Sequence, residues 1–320
     1  MLQVLLSDEE IKAISQNVPV NEVPVWFYWS EFVQKHLRTG KSETTIKNVR
    51  DVLRLIIRKL GIYTIQQLNT PRLVEDALFS YREKHPIKNN TFNSYRKNLN
   101  TYGIWLEKME YIDCNNIRKI DKCKGEYDEN LTLTQEQINA VIVQIRDRKQ
   151  SKLERLRNAF FIDLLRFTGA RPCELVDLKL KDISKESTGY KLCLQGKKQK
   201  GRKRYYDLCT YVIDSFEAYM DFRSIYRENE DYLFVSAYKR VPWTYVGIKN
   251  LFASLSEELG YRVNAYSFRR YVATKLNTLD MPLESIRDYL GHTRVATTLR
   301  YIERSCALTK ECANVMASFK

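Results

Sequence analysis

The sequence predicts a mainly α-helical fold with one small antiparallel β-sheet, an α+β protein divided into two domains. Apolar residues recur at helical spacing along most of the 320 residues, as in amphipathic helices that bury one face. Three short segments between residues 178 and 208 instead show the alternating apolar pattern of strands. Residues 116–130 are dominated by charged and amide side chains, and we interpret them as the linker between the domains.

The N-terminal domain, residues 22–115, is predicted to be all α-helical, and residues 1–21 before it form a short helix or an arm. Its first helix is rich in aromatic residues. Ser42 and Thr44 both suit the start of the second helix, because their hydroxyls accept hydrogen bonds from the first N–H groups of a helix. Gly61 suits its end, since glycine adopts the left-handed conformation common there.

Two further helices complete this domain. Thr70 and Pro71 begin the third, with a capping side chain followed by proline at the first helical position. The fourth spans about residues 90–109 and carries a basic side, on which Arg96 and Lys97 are predicted to contact DNA. An ordinary four-helix bundle would show the same apolar stripes, so periodicity alone does not separate the two interpretations.

The second domain, residues 131–304, begins with helices and then changes to strands. Thr134 and Gln137 fit the two ends of a capping box. A later apolar helix stops at Gly169. Predicted strands follow at 178–183, 190–195 and 204–208, and predicted helices at 210–226, 243–259, 266–279 and 282–290. Residues 305–320 form a C-terminal tail.

Composition favours a polyanionic partner for this chain. Its net charge is +14 and its pI about 9.3, and lysines and arginines that meet phosphates release bound counterions. Seven scattered cysteines and the lack of a signal peptide predict reduced thiols and a cytoplasmic protein, with a nuclear one as the alternative. Three histidines leave little for a zinc site, so we expect no metal and no cofactor. No apolar run approaches the roughly 20 residues that cross a membrane.

A tyrosine near the C-terminal end is the first candidate for chemistry. Tyr301 follows His292 by nine residues in the run Leu-Gly-His-Thr-Arg-Val-Ala-Thr-Thr-Leu-Arg-Tyr, residues 290–301. A phenol, with a pKa of about 10, is a poor nucleophile at neutral pH unless cations stabilise its developing charge. His292 is suited either to stabilise a phosphate or to exchange the tyrosine proton.

Two arginines lie in settings that supply such cations. Arg171 stands in Thr-Gly-Ala-Arg-Pro-Cys-Glu-Leu, residues 168–175, at the start of a helix. Glu174 lies three residues on, where it can orient a neighbouring side chain. Arg269 lies near the start of an amphipathic helix, within residues 266–270. A guanidinium stays charged and presents a planar fork of donors, which suits the oxygens of a phosphodiester.

Basic residues crowd the connection Gly-Lys-Lys-Gln-Lys-Gly-Arg-Lys-Arg, residues 196–204. A lysine on this turn can reach a DNA groove and protonate a leaving 5′-oxygen. Lys197, at the end of the strand, is the best placed, and Lys200 is the alternative. The expected phosphate contacts in this domain are Lys198, Lys200, Arg202, Arg204 and, on a later helix, Arg270.

Taken together, these motifs resemble the tyrosine recombinases, or phage-type integrases, with a compact Xer-like catalytic domain. The resemblance rests on residues 168–175, the Gly-Lys of the hairpin, Phe-Arg-Arg-Tyr-Val-Ala-Thr-Lys-Leu (268–276) and Leu-Gly-His…Tyr (290–301), in that order and spacing. It covers residues 131–304. It extends more weakly to residues 22–115, which are similar to the family's helical, SAM-like core-binding domain.

The resemblance implies a catalytic role for each of these motifs. Arg171 and Arg269 would clamp the scissile phosphate, and Lys197 would be the general acid for the leaving 5′-hydroxyl. Tyr301 would form a 3′-phosphotyrosyl link to DNA. That link conserves the energy of the broken bond, so the resemblance implies rejoining without ATP or a metal.

The remaining site residues include one departure from the family pattern. By the same resemblance, His292 would support the phosphate and Glu174 would buttress the site. The family usually has histidine three residues before the second arginine, and this chain has Tyr266 there. A tyrosine hydroxyl donates to a phosphate oxygen but is a poor proton acceptor at neutral pH. We therefore expect Tyr266 to be a phosphate donor, with the proton accepted by another group or by water.

The resemblance also implies the substrate and the assembly. The partner would be double-stranded DNA with paired inverted half-sites. Protomers that are monomers or weak oligomers when free would form a homo-tetramer on two sites and exchange strands through a Holliday junction. The tail, residues 305–320, would either pass to a neighbouring protomer or pack on its own chain. Integration, excision, transposition and dimer resolution all remain open.

Two other functions are compatible with the same residues. One is a sequence-specific DNA-binding protein that has lost catalysis, for which Tyr266 is the argument. The other is a type IB topoisomerase, which relaxes supercoils by similar chemistry. The separate helical domain and the compact motif spacing favour recombination over relaxation.

Overall fold

The computed structural model describes residues 4–125, 132–196, 203–223, 231–237, 241–299 and 301–302. The chain divides into two compact units, residues 1–128 and 129–320. Among the described residues, no helix is both long and apolar enough to span a bilayer. The helical content and the single three-stranded sheet confirm the predicted α+β class.

The named elements in the described part of the first unit are all helices, and the inner faces of four long ones form its core. Ser42 begins the second of them and accepts a hydrogen bond from the backbone N–H of Thr45 at 3.3 Å, so Ser42 rather than Thr44 is the cap. Gly61 ends that helix in the left-handed conformation. The helices are α1 (Asp8–Ser15), α2 (Trp29–Arg38), α3 (Glu43–Leu60), α4 (Ile65–Leu68), α5 (Pro71–Lys84) and α6 (Asn89–Lys108).

Residues at both ends of this unit pack onto its helices. Leu5 and Leu6 are buried, and Arg54 of α3 donates to the backbone carbonyl of Leu5 at 2.6 Å. At the other end, Ile117 and Ile120 are buried in the same core. The predicted linker is therefore too long at its start, because two isoleucines among its polar residues bind the segment to the helices.

The sheet of the second unit is antiparallel, in the order β1-β2-β3 (Ile183–Glu186, Gly189–Gln195 and Lys203–Asp207). The first strand was predicted too early, at 178–183. Leu178 and Leu180 alternate as a strand does, but they form backbone hydrogen bonds with Leu233 and Asp231 instead, at 2.8 and 3.0 Å. The tip of the β2–β3 connection lies outside the described residues.

The helices of this unit bring the candidate site together. The central helix α8 packs against two others, α10 and α12, and ends at Gly169. Gly291 ends α13 with a positive φ of 64°, which reverses the chain toward His292. The helices are α7 (Gln135–Asp147), α8 (Lys152–Thr168), α9 (Pro172–Val176), α10 (Thr210–Arg223), α11 (Tyr245–Leu259), α12 (Ala265–Thr278), α13 (Leu283–Leu290) and α14 (Val295–Leu299).

Candidate active site

Arg171 lies immediately before α9, and Glu174 of that helix holds it. Its guanidinium Nη1 donates to the Glu174 carboxylate at 2.9 Å, and its backbone N–H donates to the second carboxylate oxygen at 2.9 Å. Nη1 and Nη2 also lie 3.5 Å from the carbonyl oxygen of Gly291. Arg171 is thus fixed at its base, while its side chain remains partly exposed, as a phosphate ligand must be.

Glu174 is a buried carboxylate shared by two arginines. Besides Arg171, it accepts a hydrogen bond from Nη2 of Arg204 at 2.7 Å, and its side chain is 2% exposed. Burial alone would raise the pKa of this carboxyl. The Arg204 charge and the bonds from Arg171 outweigh that effect and lower the pKa below its ordinary value. Glu174 is therefore ionised at neutral pH and orients both guanidinium groups.

Arg204 occupies a different position from the one expected of a DNA contact. Its side chain is 6% exposed, and beyond Glu174 it donates to the hydroxyl of Tyr206 at 3.1 Å and to the carbonyl of Tyr289 at 3.2 Å. Along β3, residues 204 and 206 face inward, whereas 203, 205 and 207 face outward. The prediction that Arg204 contacts phosphate is wrong, because the pleat of the strand turns it into the core.

Arg269 of α12 is fully buried, with 0% exposure. Its Nη1 donates to the carbonyl of Gly169 at 2.6 Å, its Nη2 to the carbonyl of Leu290 at 2.7 Å, and its Nε to His292 at 3.2 Å. Burial, with Arg171 nearby, lowers its pKa to about 10, so it stays charged at neutral pH. Arg269 therefore joins the end of α8 to the end of α13.

His292 is buried and neutral. Burial and the charges of Arg269, Arg171 and Arg204 lower its pKa to about 3. Its Nε2 faces the Nε of Arg269 at 3.2 Å, and its Nδ1 lies 2.9 Å from the hydroxyl of Thr298. Neither Arg204 nor Thr298 was expected in the site from sequence. The inward alternation of residues 204 and 206 was a signal for the first, and none marked the second.

Tyr301 follows α14 and lies beside these groups. Its ring centroid is 5.1 Å from that of His292, with the planes 29° apart. The guanidinium carbon of Arg269 lies 5.6 Å from the same ring, within the range of a cation–π contact. The ring is partly exposed. A phenol in this position contacts both a buried cation and a neutral imidazole while it remains open to solvent.

Tyr266, at the start of α12, is exposed over 43% of its surface. Partial burial and the neighbouring Tyr245, Cys173 and Tyr301 raise the pKa of its phenol, and the charge of Arg171 opposes that shift. The hydroxyl therefore keeps its proton at neutral pH and is available as a donor.

The other expected DNA contacts fall into two groups. Lys97 is exposed and Arg270 is partly buried, whereas Arg96 donates to the backbone carbonyl of Arg118 at 3.1 Å and also bonds to that of Ile120. The remaining ones lie outside the described residues: Lys197, Lys198, Lys200 and Arg202.

The arrangement concentrates two guanidinium groups on one short segment, residues 290–292. Arg171 and Arg269 both donate toward its backbone carbonyls, and the same segment carries His292. A site of this kind can bind a tetrahedral anion at its exposed guanidinium and place a phenol beside it.

Comparison with known proteins identifies the family. Residues 132–307, more than half of the chain, match the phage integrase family. The tyrosine recombinase XerC of Leptospira interrogans serogroup Icterohaemorrhagiae serovar copenhageni is 22% identical over 73% of this chain and 75% of the relative. XerC of Staphylococcus saprophyticus subsp. saprophyticus is 23% identical over 72% of this chain and 92% of the relative.

Solved structures share the fold. The XerH site-specific recombinase bound to palindromic difH substrate, in its post-cleavage complex, matches with a TM-score of 0.71 at 18% identity, over 97% of this chain and 94% of that one. The Tn1549 transposon integrase in complex with a circular intermediate DNA matches with a TM-score of 0.65 at 17% identity, over 89% and 98%. The chain therefore belongs to the phage integrase family and is a site-specific tyrosine recombinase.

Proposed function

We propose that this recombinase cleaves and rejoins DNA through a 3′-phosphotyrosyl intermediate formed on Tyr301. The observation that carries the proposal is that Arg171 and Arg269 both bond to the segment that carries His292, residues 290–292. The ring of Tyr301 contacts His292 and Arg269. No other tyrosine in the described part of the chain stacks on His292 while lying over the guanidinium of Arg269.

In the proposed step, the phenolic oxygen of Tyr301 attacks the scissile phosphorus and the bond to the 5′-oxygen breaks. One phosphodiester is exchanged for another, so the reverse attack by a 5′-hydroxyl rejoins the strand. Negative charge gathers on the non-bridging oxygens in the transition state, and fixed guanidinium donors stabilise it there. Arg171 is partly exposed and can contact the phosphate directly, while Arg269 is buried and contributes its positive charge.

The reaction also needs a proton donor for the leaving 5′-oxygen and a proton acceptor for Tyr301. The leaving 5′-oxygen gains a proton, for which Lys197 is our first choice and Lys200 the alternative, both outside the described residues. Tyr266 would donate its hydroxyl to a phosphate oxygen, as its raised pKa and 43% exposure allow. The proton of Tyr301 would pass to another group or to water, because the hydroxyl of Tyr266 stays protonated at neutral pH and cannot accept it.

DNA is the proposed partner. XerH is bound to its difH substrate and the Tn1549 integrase to circular intermediate DNA in their structures, and a net charge of +14 suits a polyanion. We further propose a tetramer on paired half-sites and strand exchange through a Holliday junction. Exchange of the tail 305–320 between protomers belongs to this proposal and lies outside the described residues.

The test is capture of the covalent intermediate on a pool of duplexes with random sequence, each nicked a few nucleotides beyond a candidate scissile position. Cleavage releases the short end, so the adduct accumulates and survives denaturation. We expect an adduct with the wild-type chain and none with Tyr301→Phe. Tyr205→Phe is the matched control, because Tyr205 lies exposed on β3, and it should form the adduct normally.

Two outcomes would contradict the proposal. Retention of sequence-specific duplexes without any adduct would indicate a DNA-binding protein that has lost catalysis. An adduct that persists in Tyr301→Phe would place the nucleophile elsewhere.

A further inference from the structure

Thr298 contacts both His292 and the turn that carries Tyr301. It is fully buried in the short helix α14, three residues before Tyr301. Its hydroxyl lies 2.9 Å from Nδ1 of His292. Its backbone carbonyl accepts from the N–H groups of Tyr301 and Ile302, at 2.9 and 3.2 Å. One residue thus contacts the histidine with its side chain and the tyrosine turn with its backbone.

The direction of the histidine hydrogen bonds follows from the chemistry of arginine. The Nε of Arg269 can only donate, so the Nε2 of His292, 3.2 Å away, must accept with its lone pair. A neutral imidazole carries its single proton on the other nitrogen. That proton, on Nδ1, then points at the Thr298 hydroxyl, which accepts it.

We propose that Thr298 is a positioning residue: its hydroxyl holds His292 in the Nδ1–H tautomer, so that Nε2 orients Arg269, and its carbonyl anchors the turn that carries Tyr301. The catalytic part of this inference rests on the proposed function. In this tautomer Nε2 is an acceptor, so His292 aligns the arginine through Nε2. The neighbouring Thr297 has no such position, since it is only partly buried and makes no described side-chain hydrogen bond.

Substitution of Thr298 by valine or by serine distinguishes the effect of its hydroxyl from the effect of its branched shape. Thr298→Val keeps the branched side chain and the backbone carbonyl but removes the acceptor. Thr298→Ser keeps the acceptor and removes a methyl group. Thr297→Val is the matched control one position away. Thermal unfolding of each variant shows whether it is folded before it is compared.

The first measurement is the histidine tautomer in the DNA-free chain, by ¹⁵N NMR of protein labelled at histidine. The chain has three histidines, and comparison with His292→Gln identifies the signals of His292. We expect a protonated Nδ1 and an unprotonated Nε2 in the wild type, in Thr298→Ser and in Thr297→Val. Thr298→Val should show a mixture, because its Nδ1–H has lost its acceptor and the ring can turn. A wild-type spectrum with the proton on Nε2, or an unchanged spectrum in Thr298→Val, overturns the proposal.

The second measurement is the rate of covalent adduct formation on the nicked duplex. We expect Thr298→Val to be at least about tenfold slower than the wild type, a fraction of the 10²–10⁴ that a positioned acid–base group contributes. Thr298→Ser and Thr297→Val should stay near the wild-type rate. A wild-type rate in Thr298→Val overturns the positioning role. A wild-type chain that forms no adduct overturns the proposed function instead, and the tautomer spectrum then decides the Thr298 contact separately.

Discussion

Removing Arg204 should destabilise the second unit by leaving a buried carboxylate underpaired. Arg204→Met deletes the guanidinium that lies 2.7 Å from Glu174, while a methionine of similar length fills the space. Breaking a buried ion pair from one side costs about 3–5 kcal/mol. Because Arg171 still pairs with Glu174 at 2.9 Å, we expect the lower end, about 3 kcal/mol.

The assay is urea unfolding followed by ¹⁹F NMR of chain labelled with 5-fluorotryptophan. Trp243 is the sole tryptophan of the second unit and is buried in its core, so its resonance reports that unit separately. Glu174→Gln in the Arg204→Met background removes the stranded charge and should recover more than half of the loss. Lys191→Met is the control: Lys191 of β2 pairs with Glu186 and Asp207 at the surface, where solvent screens such pairs and they contribute little to stability.

The result that would refute this reasoning is a loss in Arg204→Met no larger than in Lys191→Met. Arg204 would then contribute no more than a surface charge. Failure of Glu174→Gln to recover stability would show that lost packing, and not the unpaired carboxylate, causes the effect.

Three further predictions concern neighbouring positions. Gly291→Ala should lower the free energy of unfolding by at least about 2 kcal/mol in the same assay, because its φ is +64° and a Cβ would lie 2.8 Å from Arg204. Gly260→Ala, at φ +72° with open space around it, should lower it by about 1 kcal/mol. Equal losses in the two variants would contradict the clash with Arg204. The pKa of His292 is about 3 in the folded chain and 6.5 in an unfolded one. The neutral imidazole therefore contributes fully to folding stability above pH 6.5, and this contribution is lost as pH falls toward 3. Stability should fall by up to about 1.4 kcal/mol per pH unit there, and His292→Asn should flatten that slope between pH 6 and 4. Tyr266→Phe should slow adduct formation by at least about tenfold, which is less than the 10²–10³ lost with a buried oxyanion donor because Tyr266 is 43% exposed. A wild-type rate would exclude the donor role.

The helix boundaries were predictable because local chemistry sets them. Ser42 caps a helix with its own hydroxyl, Gly61 and Gly169 end helices in a conformation that glycine favours, and Pro71 begins one. These preferences act within a few residues, so the sequence expresses them directly. The order of Arg171, Arg269, His292 and Tyr301 was also readable, and the structure places these four side chains in one cluster.

The roles of Arg204 and Thr298 could not be read in the same way. Arg204 is buried because Glu174 and the Tyr289 carbonyl, far away in the chain, accept hydrogen bonds from its two terminal nitrogens. In a run of basic residues its charge resembles a surface charge, and only its alternation with Tyr206 along β3 points inward. Thr298 acquires its contact only when the chain folds back over His292. Partners distant in sequence also explain why residues 178–180 paired with residues 231–233 instead of joining the sheet.

Identification of the residue that carries the DNA tests the central claim most directly. The covalent adduct from the nicked duplex would be digested with nuclease and protease, and the modified peptide sequenced by mass spectrometry. Among the 21 tyrosines, we predict a nucleotide joined through its 3′-phosphate to Tyr301 alone. A nucleotide on Tyr266 or any other residue, or a link through a 5′-phosphate, would contradict the assignment of Tyr301 as the nucleophile in this arginine cluster.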